Sequence, residues 1–185
     1  MGRKQIVIQG EVYECLFDEQ RVESVVRSTY NGLRTFVDNE KKDGTDVVFL
    51  VLANGGNWFS QKLFFLFNEP LRVEYALLQS YENNAQSDMN IVSFPDEKSL
   101  YGKSVVVIDD ILDSGKTMQW VVEFLSTKNV KTVQSVVLCR RHGNQTPTLN
   151  DPLLIENDAW VVGCGMDSNH EGRNLGEIYR KMRNE

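Results

Sequence analysis

Residues 105–117 read VVVIDDILDSGKT, and the order of parts in that stretch sets the fold. A short β-branched run bounded by polar residues is the pattern of a strand covered on both faces, so residues 105–108 are predicted to form a buried strand. The chain then leaves the sheet at its carboxyl end, where open α/β sheets bind ligands, and Asp109, Asp110 and Asp113 stand at that exit. Ser114, Gly115, Lys116 and Thr117 follow, ahead of Met118, Val121, Val122 and Leu125, whose spacing predicts a helix. The turn therefore lies at a helix N-terminus. Free backbone N–H groups and the positive end of the helix dipole favour an anion there. Ser114 and Thr117 add hydroxyl donors, and Gly115 lets the backbone come close. A monophosphate fits this cradle. The carboxylates beside it suit a ribose, whose 2′ and 3′ hydroxyls are donors that carboxylates accept. A solvated acidic loop would explain the acids, but not their coincidence with a glycine turn and a helix start.

The Gly-Lys-Thr triplet invites a P-loop reading, which needs a glycine five residues before Gly115. Asp110 stands there, and the same test on Gly102-Lys103-Ser104 finds Glu97, so neither triplet fits the pattern. Outward from this centre, residues 11–16 read as a strand. Val22, Val25, Val26, Leu33, Phe36 and Val37 then recur at helical spacing across residues 19–39, and residues 41–45 make a turn-like break. Residues 47–52 read as a second buried strand, 58–67 as a helix and 71–78 as another strand. Residues 133–139 and 160–163 complete the strands. The alternation predicts an α/β fold with a mostly parallel, twisted sheet flanked by helices in a single unit without repeats. Residues 80–103 form the longest polar segment and are expected as a loop with a function.

Composition agrees. A chain of 185 residues with 41% hydrophobic content is one domain's worth, able to bury roughly 70% of its unfolded surface. Cys15, Cys139 and Cys164 are odd in number and lack metal spacing, so reduced core thiols are expected. His142 and His170 stand far from any second histidine or cysteine pair, which argues against zinc. The opening residues carry no apolar run long enough for secretion, and Ile6 breaks the myristoylation pattern, so a cytoplasmic protein is expected. A net charge of -6 argues against nucleic acid as a generic partner. An acidic chain that holds an anion must concentrate positive charge locally.

The stretch resembles the signature of type I phosphoribosyltransferases, and most of all the hypoxanthine-guanine (6-oxopurine) branch. The similarity runs in order through residues 5–26, 51–65, 74–81, 102–119, 136–141 and 160–175. The resemblance implies a core over about residues 19–150 and a small hood from about 1–18 and 151–185. It makes residues 80–103 a mobile lid, with Ser80 and Tyr81 at the pyrophosphate. Lid closure would exclude water, a competing acceptor. The loop Ala53-Asn54-Gly55-Gly56 resembles the family's pyrophosphate loop, often entered through a cis peptide, here Ala53-Asn54. Its two glycines let N–H groups approach an anion. The family usually has a lysine where this chain has Asn54, so a side-chain cation is absent while the backbone donors remain.

By the same resemblance Trp160 stacks on the purine and the Val161 backbone reads its edge. Arg140 stands at the lysine that donates to O6, with Arg141 beside it. A cation there prefers a 6-oxopurine to adenine, although arginine demands more room than lysine. Asp167 helps hold Mg²⁺ with Asp109 and Asp110, and Arg173 meets pyrophosphate. The implied activity is purine salvage, with phosphoribosyl pyrophosphate and a purine base as partners, Mg²⁺ as cofactor, and a homodimer or homotetramer as assembly. Asp109 and Asp110 would hold the ribose hydroxyls and the cradle from Asp113 to Thr117 the 5′-phosphate. Asp113 is the candidate acid/base at purine N7, a role helped if crowding by Asp109 and Asp110 raises its pKa. Two alternatives stay open, a regulatory protein that binds phosphoribosyl pyrophosphate without chemistry and a transferase for another base.

Overall fold

The computed structural model describes residues 3–80 and 89–182. Its centre is a six-stranded sheet built from β3 (Val47–Ala53), β4 (Arg72–Ser80), β5 (Met89–Ser93), β6 (Ser104–Leu112), β7 (Thr132–Arg141) and β8 (Leu153–Ile155), in the order β5-β4-β3-β6-β7-β8. Every neighbouring pair is parallel except β4 with β5. The apolar runs of β3, β6 and β7 are buried on both faces. Phe49, Val106, Ile108, Val136 and Leu138 face α1 (Glu19–Lys42) and α2 (Gly56–Phe64). Val48, Leu50, Val105, Val107 and Val137 face α4 (Lys116–Ser126). This two-sided burial explains why those strands carry no polar alternation.

α1 starts where Asp18 accepts the Arg21 N–H (2.8 Å) and runs to Lys42, three residues past the predicted end, because nothing before Asp43-Gly44 breaks it. A second sheet, antiparallel, has the order β1-β2-β10-β9 and contains β1 (Gln5–Ile8), β2 (Glu11–Phe17), β9 (Val161–Val162) and β10 (Ile178–Lys181). Gln9 and Gly10, both at positive φ (52° and 81°), make the two-residue turn that joins β1 to β2. Val22, Val25 and Val26 of α1 share one core with Val161, Cys164 and Ile178, so the small sheet sits at the end of the large one. None of the helices among the described residues is long and apolar enough to cross a membrane.

Two expectations change. Residues 80–103 are not one loop. β5 pairs with the end of β4, and the single turn α3 (Glu97–Leu100) buries Leu100, while Phe94 packs edge-on against Phe124 at 4.9 Å. Strand pairing at a sheet edge needs backbone groups rather than buried side chains, so no burial pattern marked it. Residues 81–88, with Tyr81, lie outside the described residues. The segment after residue 150 also does not pass straight to the small sheet, because β8 first extends the large one beside β7.

Candidate active site

The site lies at the carboxyl edge of β3, β6 and β7. β6 runs four residues past the predicted end, so Asp109 and Asp110 are still strand, and β6 stays in register with β7 up to Leu112 opposite Arg140. Asp109 Oδ1 accepts the Asp110 N–H at 2.9 Å. Burial pushes both carboxyls above the ordinary range. The charge of Asp110 drives Asp109 further up, whereas hydrogen bonds from Asp109 and the Ile111 N–H, together with the Arg173 cation, hold Asp110 back. Such a pair is poised to accept hydroxyl donors or a cation.

The strand ends meet so closely that only glycine fits between them. The Asp110 carboxylate packs on Gly55, where any Cβ would overlap its oxygens, and a Cβ on Gly56 would stand 2.6 Å from the Ile108 carbonyl oxygen. Gly165, at φ 106°, lies over the Gly55 carbonyl and 3.4 Å from the Asp110 Cβ by the same measure. The Ala53-Asn54 peptide is cis. Arg173 reaches this contact, donating from Nη1 to the Gly165 carbonyl (2.6 Å) and pairing through Nη2 with Asp167 Oδ1 (2.5 Å). Asp167 Oδ2 accepts the His170 N–H at 2.7 Å. Asn54, Gly55, Asp110, Asp167 and Arg173 thus belong to one corner.

The turn after Asp113 leads into a helix as its sequence implies. Gly115 at φ 80° turns the chain into α4, and a small cavity of about 60 Å³ is lined by Asp109, Asp113, Ser114, Gly115 and Thr117. Lys116, the first residue of the helix, points to solvent. Ser80 ends β4 opposite Met89.

On the other side of the cradle the structure corrects the arginine assignment. Arg140 turns away and donates from Nη2 to the Thr146 carbonyl (3.0 Å) and Thr148 Oγ1 (2.5 Å). Arg141 takes the place beside the acids, with Nε on Asp113 Oδ1 (2.6 Å) and Nη1 on the carbonyls of Glu156 (2.9 Å) and Ala159 (2.5 Å). Successive strand residues face opposite ways, so only one of two adjacent arginines can enter. The premise of crowded acids at Asp113 changes accordingly, since the contact its carboxylate makes is with a guanidinium.

Trp160 follows this clamp and is 57% exposed. Its carbonyl accepts the Lys181 N–H (2.8 Å), so by strand alternation the N–H and C=O of Val161 face away from β10, on the free edge of the small sheet. A polar cavity of about 570 Å³ opens between Asp113, Arg141, His142, Asn144 and Asn157. His142, Asn144 and Asn157 carried no motif that marked them in the sequence.

Among the described residues, no group of three His, Cys, Asp or Glu is placed to hold a metal on its own. The carboxylates present still suit Mg²⁺, which takes oxygen donors and is usually held by one or two carboxylates with substrate phosphates and water. Each Asp167 oxygen makes one bond and keeps a lone pair.

A family model described as a phosphoribosyl transferase domain matches residues 28–169. A hypoxanthine-guanine phosphoribosyltransferase from Aquifex aeolicus is 26% identical over 175 residues, 93% of this chain and 96% of that protein. One from Cricetulus griseus is 32% identical over 112 residues, and the match spans 59% of this chain and about half (51%) of the relative. Among solved structures, a hypoxanthine phosphoribosyltransferase from Trypanosoma cruzi complexed with the product IMP aligns with a TM-score of 0.76 at 21% identity, covering 96% of this chain and 93% of that one. One from Staphylococcus aureus gives 0.74 at 22% identity and 91% of both chains. At these identities the structures share the fold.

Proposed function

This chain belongs to the phosphoribosyl transferase domain family, and we propose that it moves a 5-phosphoribosyl group from phosphoribosyl pyrophosphate to a 6-oxopurine. The products are the nucleoside monophosphate and pyrophosphate, in purine salvage. The observation that carries this reading is the arrangement around Arg141, which joins Asp113, at the mouth of the glycine turn, to the carbonyl of Ala159, the residue before Trp160.

The cradle backbone from Ser114 to Thr117 binds the 5′-phosphate, and Asp109 and Asp110 accept the ribose hydroxyls. Trp160 offers its exposed face to the purine, Val161 its peptide edge, and Arg141 a cation to O6, the role first given to Arg140. The purine N9 displaces pyrophosphate at ribose C1, and Asp113 takes the proton at N7. Holding base and sugar in line is the main entropic contribution. Arg173 and the N–H groups after Ala53 meet the departing pyrophosphate, and Asn54 contributes no charge. Asp109, Asp110 and Asp167 would hold Mg²⁺ together with substrate oxygens. When bound, the ion neutralises charge on the leaving group. A homodimer or homotetramer and a cytoplasmic setting complete the reading, with all three thiols free.

Incubation with labelled phosphoribosyl pyrophosphate, Mg²⁺ and a panel of bases should yield monophosphates from hypoxanthine, guanine or xanthine and none from adenine. Pyrophosphate release with none of the bases would sink the enzyme reading. In the same assay Arg141→Met should raise KM for the 6-oxopurine about 10- to 100-fold, the loss of one charged hydrogen bond. An unchanged base KM would remove Arg141 from recognition.

A further inference from the structure

The turn that carries Asp113 is held from a segment outside the phosphate site, residues 142–150 after β7. Asn144 Nδ2 donates to the Asp113 carbonyl (3.1 Å), while its Oδ1 accepts the Thr146 N–H (2.9 Å). The same two residues close over Gly115, since a Cβ there would stand 2.7 Å from Thr146 Oγ1 and 3.0 Å from Asn144 Nδ2. Asp113 is therefore gripped twice, at its carboxylate by Arg141 and at its carbonyl by Asn144.

What fixes Asn144 is a chain of polar contacts running into the protein. Arg140 ties the Thr146 carbonyl to Thr148 Oγ1, and Thr148 donates to the Asn150 carbonyl (2.9 Å). Asn150 clasps both the N–H (3.2 Å) and the C=O (2.7 Å) of Val137 and reaches Thr29 Oγ1 on α1 (3.1 Å). Arg140 Nε is buried and has no hydrogen-bond partner among the described residues. A half-buried arginine with an orphaned buried donor is a poor stability device, because that donor costs free energy. It does supply a rigid link from β7 to the segment over Gly115.

We propose that Arg140 and Asn144 are positioning residues that hold the Asp113 turn in its reacting orientation, a role that rests on the transferase reading above. Their loss acts on kcat, because the displaced group is the proton acceptor, and a small misplacement of a reacting group is costly.

The test combines kinetics of Asn144→Ala, Arg140→Met and Arg140→Lys with amide hydrogen exchange of residues 113–117 in each variant. Exchange there should quicken in Asn144→Ala and Arg140→Met, and kcat should fall about 10- to 100-fold with both KM values nearly unchanged. The melting temperature should stay within about 3 °C, since methionine also removes the orphaned donor. Arg140→Lys, which keeps a donor for Thr146, should recover most of kcat. Unchanged exchange overturns the clasp, and quickened exchange with unchanged kcat overturns its positioning role. A wild-type protein inactive with every base would refute the transferase reading instead, while the exchange data would still decide the clasp.

Discussion

Asp113→Asn is expected to lower turnover about 10²- to 10⁴-fold, the range for removing a general acid/base, while phosphoribosyl pyrophosphate still binds. The substitution is close to isosteric and keeps an oxygen for the Arg141 Nε, so the grip on the turn persists. Asp113 has 69% of its side chain exposed, and an exposed ion pair adds little to stability, so the melting temperature should hardly move. What disappears is the group able to take a proton from the base. Binding by calorimetry and turnover by pyrophosphate release separate the two effects. Near-normal turnover would remove Asp113 from the chemistry and leave Arg141 as the main polar contact of the base.

The second large effect is expected from Gly165→Ala. Its φ of 106° is a conformation that side chains avoid, and the new methyl would run into the Gly55 carbonyl. The backbone conformation costs about 1–3 kcal/mol and the overlap about as much again, for a total of roughly 3–5 kcal/mol. For a chain of this size that lowers the melting temperature by about 10 °C or more. Gly10→Ala is the control, because Gly10 also has positive φ (81°) but open space around it, so only the backbone cost of about 1 kcal/mol remains. Equal melting temperatures for the two variants would contradict the close packing of Gly55, Asp110 and Gly165. Protein that still folds as Gly165→Ala should bind phosphoribosyl pyrophosphate weakly, since Asp110 cannot keep its place.

The parts legible in the sequence were those where burial writes itself into composition. The continuous apolar runs at residues 47–52 and 105–108 had to be central strands, and the glycine turn after Asp113 had to open a helix. The strand Met89–Ser93 was not legible, because an edge strand is held by its backbone and none of its side chains is fully buried. Arg140 and Arg141 show a different limit. Both stand at the end of an apolar strand, and no polar residue before them reveals which face points to the site. The register of Arg140 opposite Leu112 decides it. Asn144 and Thr146 left no trace, since their function depends on a fold-back over Gly115 that no local pattern encodes.

The order of the small sheet, β1-β2-β10-β9, has a consequence for assembly. Its second-to-last member in space, β10, is the last strand in the chain, lying between β2 near the start and β9 beside Trp160. A chain emerging from the ribosome can complete every strand of the large sheet, and with it the glycine turn after Asp113, before residues 178–181 emerge. The edge that presents Val161 has no neighbour to align it until then. By the proposed roles, the wall assigned to the sugar is therefore completed first and the wall assigned to the base last.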